Sequence, residues 1–162
     1  MELEKDNIPK LILNDTKIIK NFKRNRIILM DIDGVLRGTK KTLSKRTLKK
    51  IIEEISKSRT DVVWCSTWEH ESNSFLKHFG FHTDFPNIQF SWDNIFKGLH
   101  KKDTFERFLN NPALRGFNIL VIDDEFNLDW KFEGNRRIYH IIPTTETGMN
   151  ESEIEILKDF LK

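Results

Sequence analysis

The stretch IILMDIDGVLRG, residues 27–38, begins as an apolar run and ends in two carboxylates and a glycine. The continuous apolar run at residues 27–30 is typical of a strand that is covered on both faces, as in a parallel sheet. Side chains alternate along a strand, so Asp31 and Asp33 are expected on the same side of the chain. Because two like charges repel each other, this pattern indicates a cation or an electrophile between the two carboxylates.

Apolar runs of the same kind recur along the chain, and helical patterns separate them. Strands are predicted at residues 26–31, 61–66, 118–124 and 137–142, and helices at residues 44–58, 69–79, 101–111 and 150–162. This alternation indicates βαβ units, and therefore a three-layer, Rossmann-like α/β fold with a central, mainly parallel sheet. Residues 26–162 are predicted to form a single domain. Residues 1–25 are an N-terminal extension that fits either a short strand with a basic turn or an added helix.

Composition excludes several classes of protein. The net charge of +2 over 162 residues is too small for a general polycation, so any affinity for nucleic acid must come from local patches. The single cysteine, Cys65, cannot form an internal disulfide, and no cluster of Cys and His has the spacing of a zinc site. No stretch approaches the length and hydrophobicity of a membrane span, so we expect a soluble, cytoplasmic protein that does not bind membranes.

Polar residues follow three of the predicted strands, and ligands bind at the carboxyl ends of strands in open α/β sheets. These residues, with the lysines that begin the helix before the third strand, are Asp31, Asp33, Ser66, Thr67, Trp68, Lys101, Lys102, Asp123, Asp124 and Glu125. Clustered carboxylates suit a hard cation such as Mg²⁺, and a carboxylate, a hydroxyl and an ammonium are the groups that phosphoryl transfer requires. Taken alone, the DxD pattern also fits two acids in a surface turn.

The order of these motifs resembles that of the haloacid-dehalogenase-like (HAD) phosphatases. The segment DIDGVL is similar to their first motif, VVWCS to the second, Lys101 or Lys102 to the third, and VIDDE to the acidic fourth. The combination of WCSTW, IDDE and TGMNESE resembles more narrowly the HAD domain of bacterial and phage RNA-repair proteins. The family carries lids after the first motif or between the second and third. Both segments are short here, so we expect a minimal cap or none.

The resemblance implies a role for each matched residue. Asp31 is the expected nucleophile and a metal ligand, and Asp33 is the expected general acid and base, with its backbone carbonyl on the metal. Ser66 is expected to bind phosphoryl oxygens, and Lys102 (or its neighbour Lys101) to stabilise Asp31 and the transferred group. The remaining predicted residues are the metal ligands Asp123 and Asp124 and the substrate-binding candidates Thr67, Trp68 and Arg37.

Two basic or aromatic features bear on the substrate. Trp68 is expected either to pack or to stack on a base, and the basic stretch at residues 17–26 to be either a solvated face or a patch that binds a nucleic-acid end. We therefore predict a Mg²⁺-dependent phosphomonoesterase that acts on a nucleotide or on a nucleic-acid 3′-phosphate end. The alternatives are a phosphatase of small metabolites or proteins, and a non-catalytic binding domain that keeps the fold.

Overall fold

The computed structural model describes residues 7–90, 100–130, 132 and 137–162. These residues form a four-stranded sheet of β1 (Arg26–Met30), β2 (Asp61–Trp64), β3 (Asn118–Ile122) and β4 (Arg137–Ile141). The strand order is β2-β1-β3-β4, and every neighbouring pair is parallel. The predicted parallel α/β sheet is confirmed. Each strand stops one or two residues before its predicted end.

Helices cover both faces of this sheet. They are α1 (Ile8–Lys20), α2 (Lys45–Ser58), α3 (Ser72–His78), α4 (His100–Leu109) and α5 (Glu151–Leu161), with short 3-10 helices at Glu69–Glu71 and Pro112–Leu114. The helix predicted at residues 69–79 is thus a 3-10 turn followed by α3. In the described part of the chain, no helix is both long enough and apolar enough to cross a membrane.

The strand β1 supplies alternate side chains to two separate cores. Ile28 and Met30 pack in a cluster with residues of α2 and α5, such as Leu48. Ile27 and Leu29 pack in the other cluster with residues of α1 and α4. Burial on both faces explains the continuous apolar run, and the three-layer arrangement is confirmed.

Residues before the sheet form a helix, which is one of the two structures that the sequence allowed. The Asn7 side chain caps α1 by accepting a hydrogen bond from the backbone N–H of Lys10 at 3.2 Å. Asp15 is fully buried and forms an ion pair with Arg107 of α4, with Arg107 Nε 2.8 Å from Asp15 Oδ2. This ion pair joins the N-terminal helix to the helix that also carries Lys101.

Two loops beyond the carboxyl ends of the strands lock together. We call residues 37–42 the basic loop. The backbone N–H groups of Thr39 and Lys40 donate to the carbonyls of Thr145 and Glu146 at 3.1 and 2.9 Å. A Cβ at Gly38 would lie 2.2 Å from the Glu146 carbonyl oxygen, so only glycine permits this approach. Within residues 31–60 and 65–90, no segment forms a separate lid domain; part of the candidate lid segment, residues 91–99, lies outside the described residues.

Candidate active site

The carboxyl ends of the strands border a crevice of about 780 Å³. Its lining includes the acids Asp31, Asp33 and Asp124, and also Arg37 and other residues of the basic loop. This is the edge of the sheet where the sequence predicted a site. The polar residues brought together there come from parts of the chain that are far apart in sequence.

Asp31 is 5% exposed and is held by several hydrogen-bond donors. Its Oδ1 accepts from the backbone N–H of Ile32 at 2.7 Å, and its Oδ2 lies 2.5 Å from Lys101 Nζ. Burial raises the pKa of Asp31, while Lys101, the Ile32 N–H and the nearby Ser66 side chain oppose that shift. The donors fix the orientation of the carboxylate in the crevice.

The lysine at the site is Lys101, and the prediction that Lys102 contacts Asp31 is wrong. Lys102 is on the neighbouring face of α4, where its Nζ lies 3.4 Å from Glu106 Oε1. Lys101 shares a buried helical face with Phe105 and Phe108, spaced four and seven residues along the chain. Lys102 precedes the buried Phe105 and Leu109 by three and seven residues, so spacing alone does not choose between the two lysines.

Asp123 is completely buried and shares the same ammonium group. Lys101 Nζ lies 2.6 Å from Asp123 Oδ2, but outside hydrogen-bonding directions, so this oxygen accepts no hydrogen bond among the described residues. Burial raises the pKa of Asp123 to about 8, and the charge of Asp31 adds to this effect. One ammonium therefore faces two buried carboxylates, and negative charge is in excess.

Asp31, Asp123 and Asp124 fit a metal ion. One carboxylate oxygen from each lies within 4.8 Å of the others, and among the described residues the buried Asp123 Oδ2 accepts no well-aligned hydrogen bond. A Cβ at Gly34 would lie 2.2 Å from Asp124 Cγ, so glycine is required for Asp124 to reach this position. Three carboxylates are a ligand set that suits a hard divalent cation. The Asp33 side chain is outside this cluster, and its predicted metal contact is through the backbone carbonyl.

Asp33 and Trp68 are joined directly. Trp68 Nε1 donates to Asp33 Oδ2 at 2.9 Å, and the Trp68 backbone N–H donates to Ser66 Oγ at 3.2 Å. The Arg37 guanidinium carbon lies 5.9 Å from the centre of the indole ring. Thr67 is exposed and lines the crevice. Stacking of Trp68 on a base stays a prediction, since the contacts found here are with the protein.

The basic stretch at residues 17–26 does not border the crevice. Arg26 begins β1 and Asp31 follows its end, so the stretch and the acids lie at opposite ends of a five-residue strand, about 16 Å apart. The Arg26 side chain donates to the Phe160 carbonyl oxygen instead. Contact of this stretch with the backbone of a bound nucleic acid stays a prediction.

Further residues line the crevice that sequence reasoning did not assign to it, among them Lys40, Lys41 and Thr145. Lys40 and Lys41 follow the first motif within a few residues, and this proximity could have identified them. Glu125 was grouped with the acids at the strand ends but given no role, and its Oε2 lies 3.5 Å from Lys101 Nζ. Thr145 donates to Asp124 Oδ2 at 2.6 Å. No sequence pattern identifies Thr145, because it reaches the crevice on a loop that is distant in sequence from the first motif.

Comparison with known protein families places this geometry in context. Residues 27–154 match the family described as the HAD domain in Swiss Army Knife RNA repair proteins. Comparisons with curated proteins and with solved structures found no match. The matched region begins in β1 and extends into α5, so it includes all four strands and every acid of the crevice. The protein therefore belongs to the family of HAD domains found in Swiss Army Knife RNA repair proteins.

Proposed function

We propose that this HAD-type hydrolase is a Mg²⁺-dependent phosphomonoesterase that acts through an aspartyl-phosphate at Asp31. The observation that carries the proposal is the burial and fixed orientation of the Asp31 carboxylate. It is buried, held at one oxygen by a backbone N–H and at the other by Lys101, and it borders a crevice large enough for a phosphate ester. A fixed carboxylate that cannot rotate away is suited to in-line attack on phosphorus.

In the first step, an Asp31 oxygen forms a bond to phosphorus while the bond to the ester oxygen breaks. Asp33 gives its proton to that leaving oxygen. Lys101 stabilises the charge on Asp31 and on the transferred group, and its raised pKa, which Asp123 and Asp31 cause against the effect of burial, keeps it protonated. Ser66 is buried beside Asp31, and its hydroxyl is suited to bind a phosphoryl oxygen.

In the second step, Asp33 is a carboxylate and can accept a proton from water. That water attacks the phosphorus of the aspartyl-phosphate, and the bond between phosphorus and the Asp31 oxygen breaks to release phosphate. Asp33 is thereby protonated again and ready for the next cycle. The exposed position of Asp33 at the crevice supports this role, because both the leaving group and water can reach it.

The metal would be held by Asp31, Asp123 and Asp124. Bound Mg²⁺ would neutralise charge that develops on the phosphoryl oxygens. The excess of carboxylates over Lys101 supports the need for a second cation at this point.

We infer that the substrate is the 3′-phosphate end of a nucleic acid. Arg37, Lys40 and Lys41 line the same crevice as Asp31, so backbone phosphates next to the terminal phosphate would meet cations. The description of the family as RNA repair proteins supports the same substrate class. A sugar monophosphate has no second phosphate, so the cations of the basic loop would add less to its binding free energy.

The test compares phosphate release from a 3′-phosphorylated oligonucleotide, its 5′-phosphorylated twin, a mononucleotide and a sugar phosphate. We expect the 3′-phosphorylated oligonucleotide to have the highest kcat/KM, with activity lost in chelator and restored by Mg²⁺. The double variant Lys40→Gln/Lys41→Gln should raise KM for the oligonucleotide and reduce its salt dependence by a slope of about 1–2. Lys49→Gln/Lys57→Gln on α2, outside the crevice, is the matched control.

A clear preference for the sugar phosphate would contradict the nucleic-acid substrate and favour a metabolite phosphatase. If the wild-type protein bound oligonucleotides but hydrolysed no phosphate ester with any divalent cation, it would instead be a non-catalytic binding domain.

A further inference from the structure

Trp68 is fixed on several sides at the edge of the crevice. Its ring meets Phe75 of α3 edge-on, with ring centres 5.9 Å apart and an angle of 87° between the planes. Arg37 lies over the ring, and the Trp68 backbone N–H donates to Ser66 Oγ. The indole N–H is the remaining polar group, and it donates to Asp33 Oδ2 at 2.9 Å. The ring therefore presents one donor in a set direction.

Asp33 contrasts with Asp31 in how it is held. Asp31 is buried and has donors from the backbone and from Lys101. Asp33 is exposed, and within residues 7–90, 100–130, 132 and 137–162 the donor found for its carboxylate is the Trp68 indole. An exposed carboxylate without an anchor samples several rotamers, and ordering it as the substrate reacts raises the barrier.

We propose that Trp68 is a positioning residue that holds Asp33 for proton transfer and selects which of its oxygens carries the proton. This inference rests on the proposed phosphomonoesterase function. An indole N–H can donate but never accept. When Asp33 is protonated, its carbonyl oxygen is the better acceptor, so the indole N–H favours the form in which Oδ2 is the carbonyl oxygen and Oδ1 carries the proton.

The proton balance of the reaction follows from this arrangement. The Oδ1–H bond breaks as the ester oxygen leaves phosphorus with its electron pair, and the proton moves to that oxygen. Asp33 then carries a negative charge that both oxygens share, and the indole N–H stabilises it from Oδ2. The same Oδ1 accepts the proton of the attacking water. The indole hydrogen bond persists through both steps, so Asp33 does not have to reorient between them.

The test uses Trp68→Phe, which removes the N–H but keeps an aromatic ring. Two small esters of equal charge serve as substrates: 4-nitrophenyl phosphate, whose leaving group needs no proton, and an alkyl phosphate, whose leaving group does. Because neither has a nucleobase, stacking on a base cannot contribute. We compare kcat/KM, which reports the first step, because both esters share the second step. We expect kcat/KM for the alkyl ester to fall about tenfold or more, and kcat/KM for the aryl ester to change about twofold or less. Phe79→Leu, which disturbs the aromatic packing behind Phe75 but keeps the indole N–H, should leave the ratio of the two values unchanged.

A double-mutant cycle and an NMR readout make the role of Trp68 separable from general damage. Trp68→Phe/Asp33→Asn should be no slower on the alkyl ester than Asp33→Asn alone, because Trp68 acts through Asp33. The indole N–H resonance of Trp68 should have a different chemical shift in Asp33→Asn from that in the wild-type protein.

Equal losses on both esters, additive effects in the cycle, or an indole resonance that ignores Asp33→Asn would each overturn the role of Trp68 and leave the phosphatase intact. A loss confined to KM for oligonucleotides would assign Trp68 to base stacking instead. Wild-type protein that hydrolyses neither ester would overturn the proposed function itself, and this inference with it.

Discussion

Helix α4 carries two buried cations, six residues apart, whose surroundings differ in charge balance. Arg107 meets one carboxylate, Asp15, with Nε and Nη2 at 2.8 and 3.2 Å from its two oxygens, and Nη2 also donates to the Gln89 carbonyl oxygen. Lys101 Nζ lies 2.5, 2.6 and 3.5 Å from oxygens of three acids, namely Asp31, Asp123 and Glu125.

The difference separates a structural ion pair from a functional one. At Arg107, both oxygens of the Asp15 carboxylate have a donor on the guanidinium, as in a structural ion pair. At Lys101, three described acids face one cation, and among the described residues Asp123 Oδ2 accepts no well-aligned hydrogen bond, so the cluster could hold a further cation. The Lys101 and Arg107 side chains are buried to a similar extent, so the number of facing acids, and not burial, distinguishes the two clusters.

The largest effect is expected at the nucleophile. Asp31→Asn keeps the shape of the side chain but cannot form an acyl phosphate, so turnover should fall by about a thousandfold or more. Removing one of several crowded negative charges should leave the free energy of unfolding in chelator unchanged or higher. Phosphate release and thermal unfolding on the same preparation check both parts. Near-normal turnover in the variant would exclude the covalent mechanism.

Breaking the ion pair between Asp15 and Arg107 should lower stability but leave turnover nearly unchanged. Asp15→Ala leaves Arg107 buried without its partner and should cost about 3–5 kcal/mol of unfolding free energy, measured by denaturant titration. Under conditions where the variant is folded, its kcat should stay within about threefold of wild type, because the pair lies outside the crevice. The double variant Asp15→Leu/Arg107→Met should recover most of the stability. Loss of turnover in folded Asp15→Ala would show that the two clusters are coupled.

The two neighbouring lysines of α4 give a matched pair. Lys101→Met should lower kcat by roughly 10–100-fold, since it removes the charge that stabilises Asp31 and the transferred group. Lys102→Met removes only a partly exposed pair with Glu106 and should leave kcat within about twofold. Equal losses in both variants would contradict the orientation of α4 described above.

The smallest effect concerns pH and the metal. Burial raises the pKa of Asp123 from 3.8 to about 8, so the folded protein binds this proton more tightly than the unfolded chain does. The stability that the proton provides is therefore present below pH 3.8 and lost as the pH rises towards 8. We expect the increase in Tm on adding Mg²⁺ to grow between pH 5.5 and 8. Each kcal/mol that metal binding adds to the unfolding free energy should raise Tm by about 2–4 °C. Asp123→Asn should remove most of that trend, and a constant Mg²⁺ effect across the range would argue against the metal site.

Sequence periodicity predicted the sheet because strands that are covered on both faces must be apolar throughout, as residues 27–30 are. It also placed the acids, because strand ends in a parallel sheet share one edge. Spacing along α4 does not choose between Lys101 and Lys102, so only the fold shows which lysine faces Asp31. The hydrogen bond from Trp68 to Asp33 and the one from Thr145 to Asp124 depend on how distant loops pack. Local sequence patterns do not predict such packing. The basic stretch at residues 17–26 is close to Asp31 along the chain but lies at the other end of β1, a distance that only the fold shows.

The most direct test of the central claim is to trap the covalent intermediate on Asp31. Asp33→Asn is useful here, because with 4-nitrophenyl phosphate the first step needs no proton whereas the second still needs a base, so the intermediate should accumulate. Turnover is quenched in acid, the protein is reduced with borodeuteride, which converts an acyl phosphate to labelled homoserine, and the peptides are analysed by mass spectrometry. We expect the label at position 31, and none when Asp31→Asn is added. A label on another residue, or turnover without any label, would contradict the account.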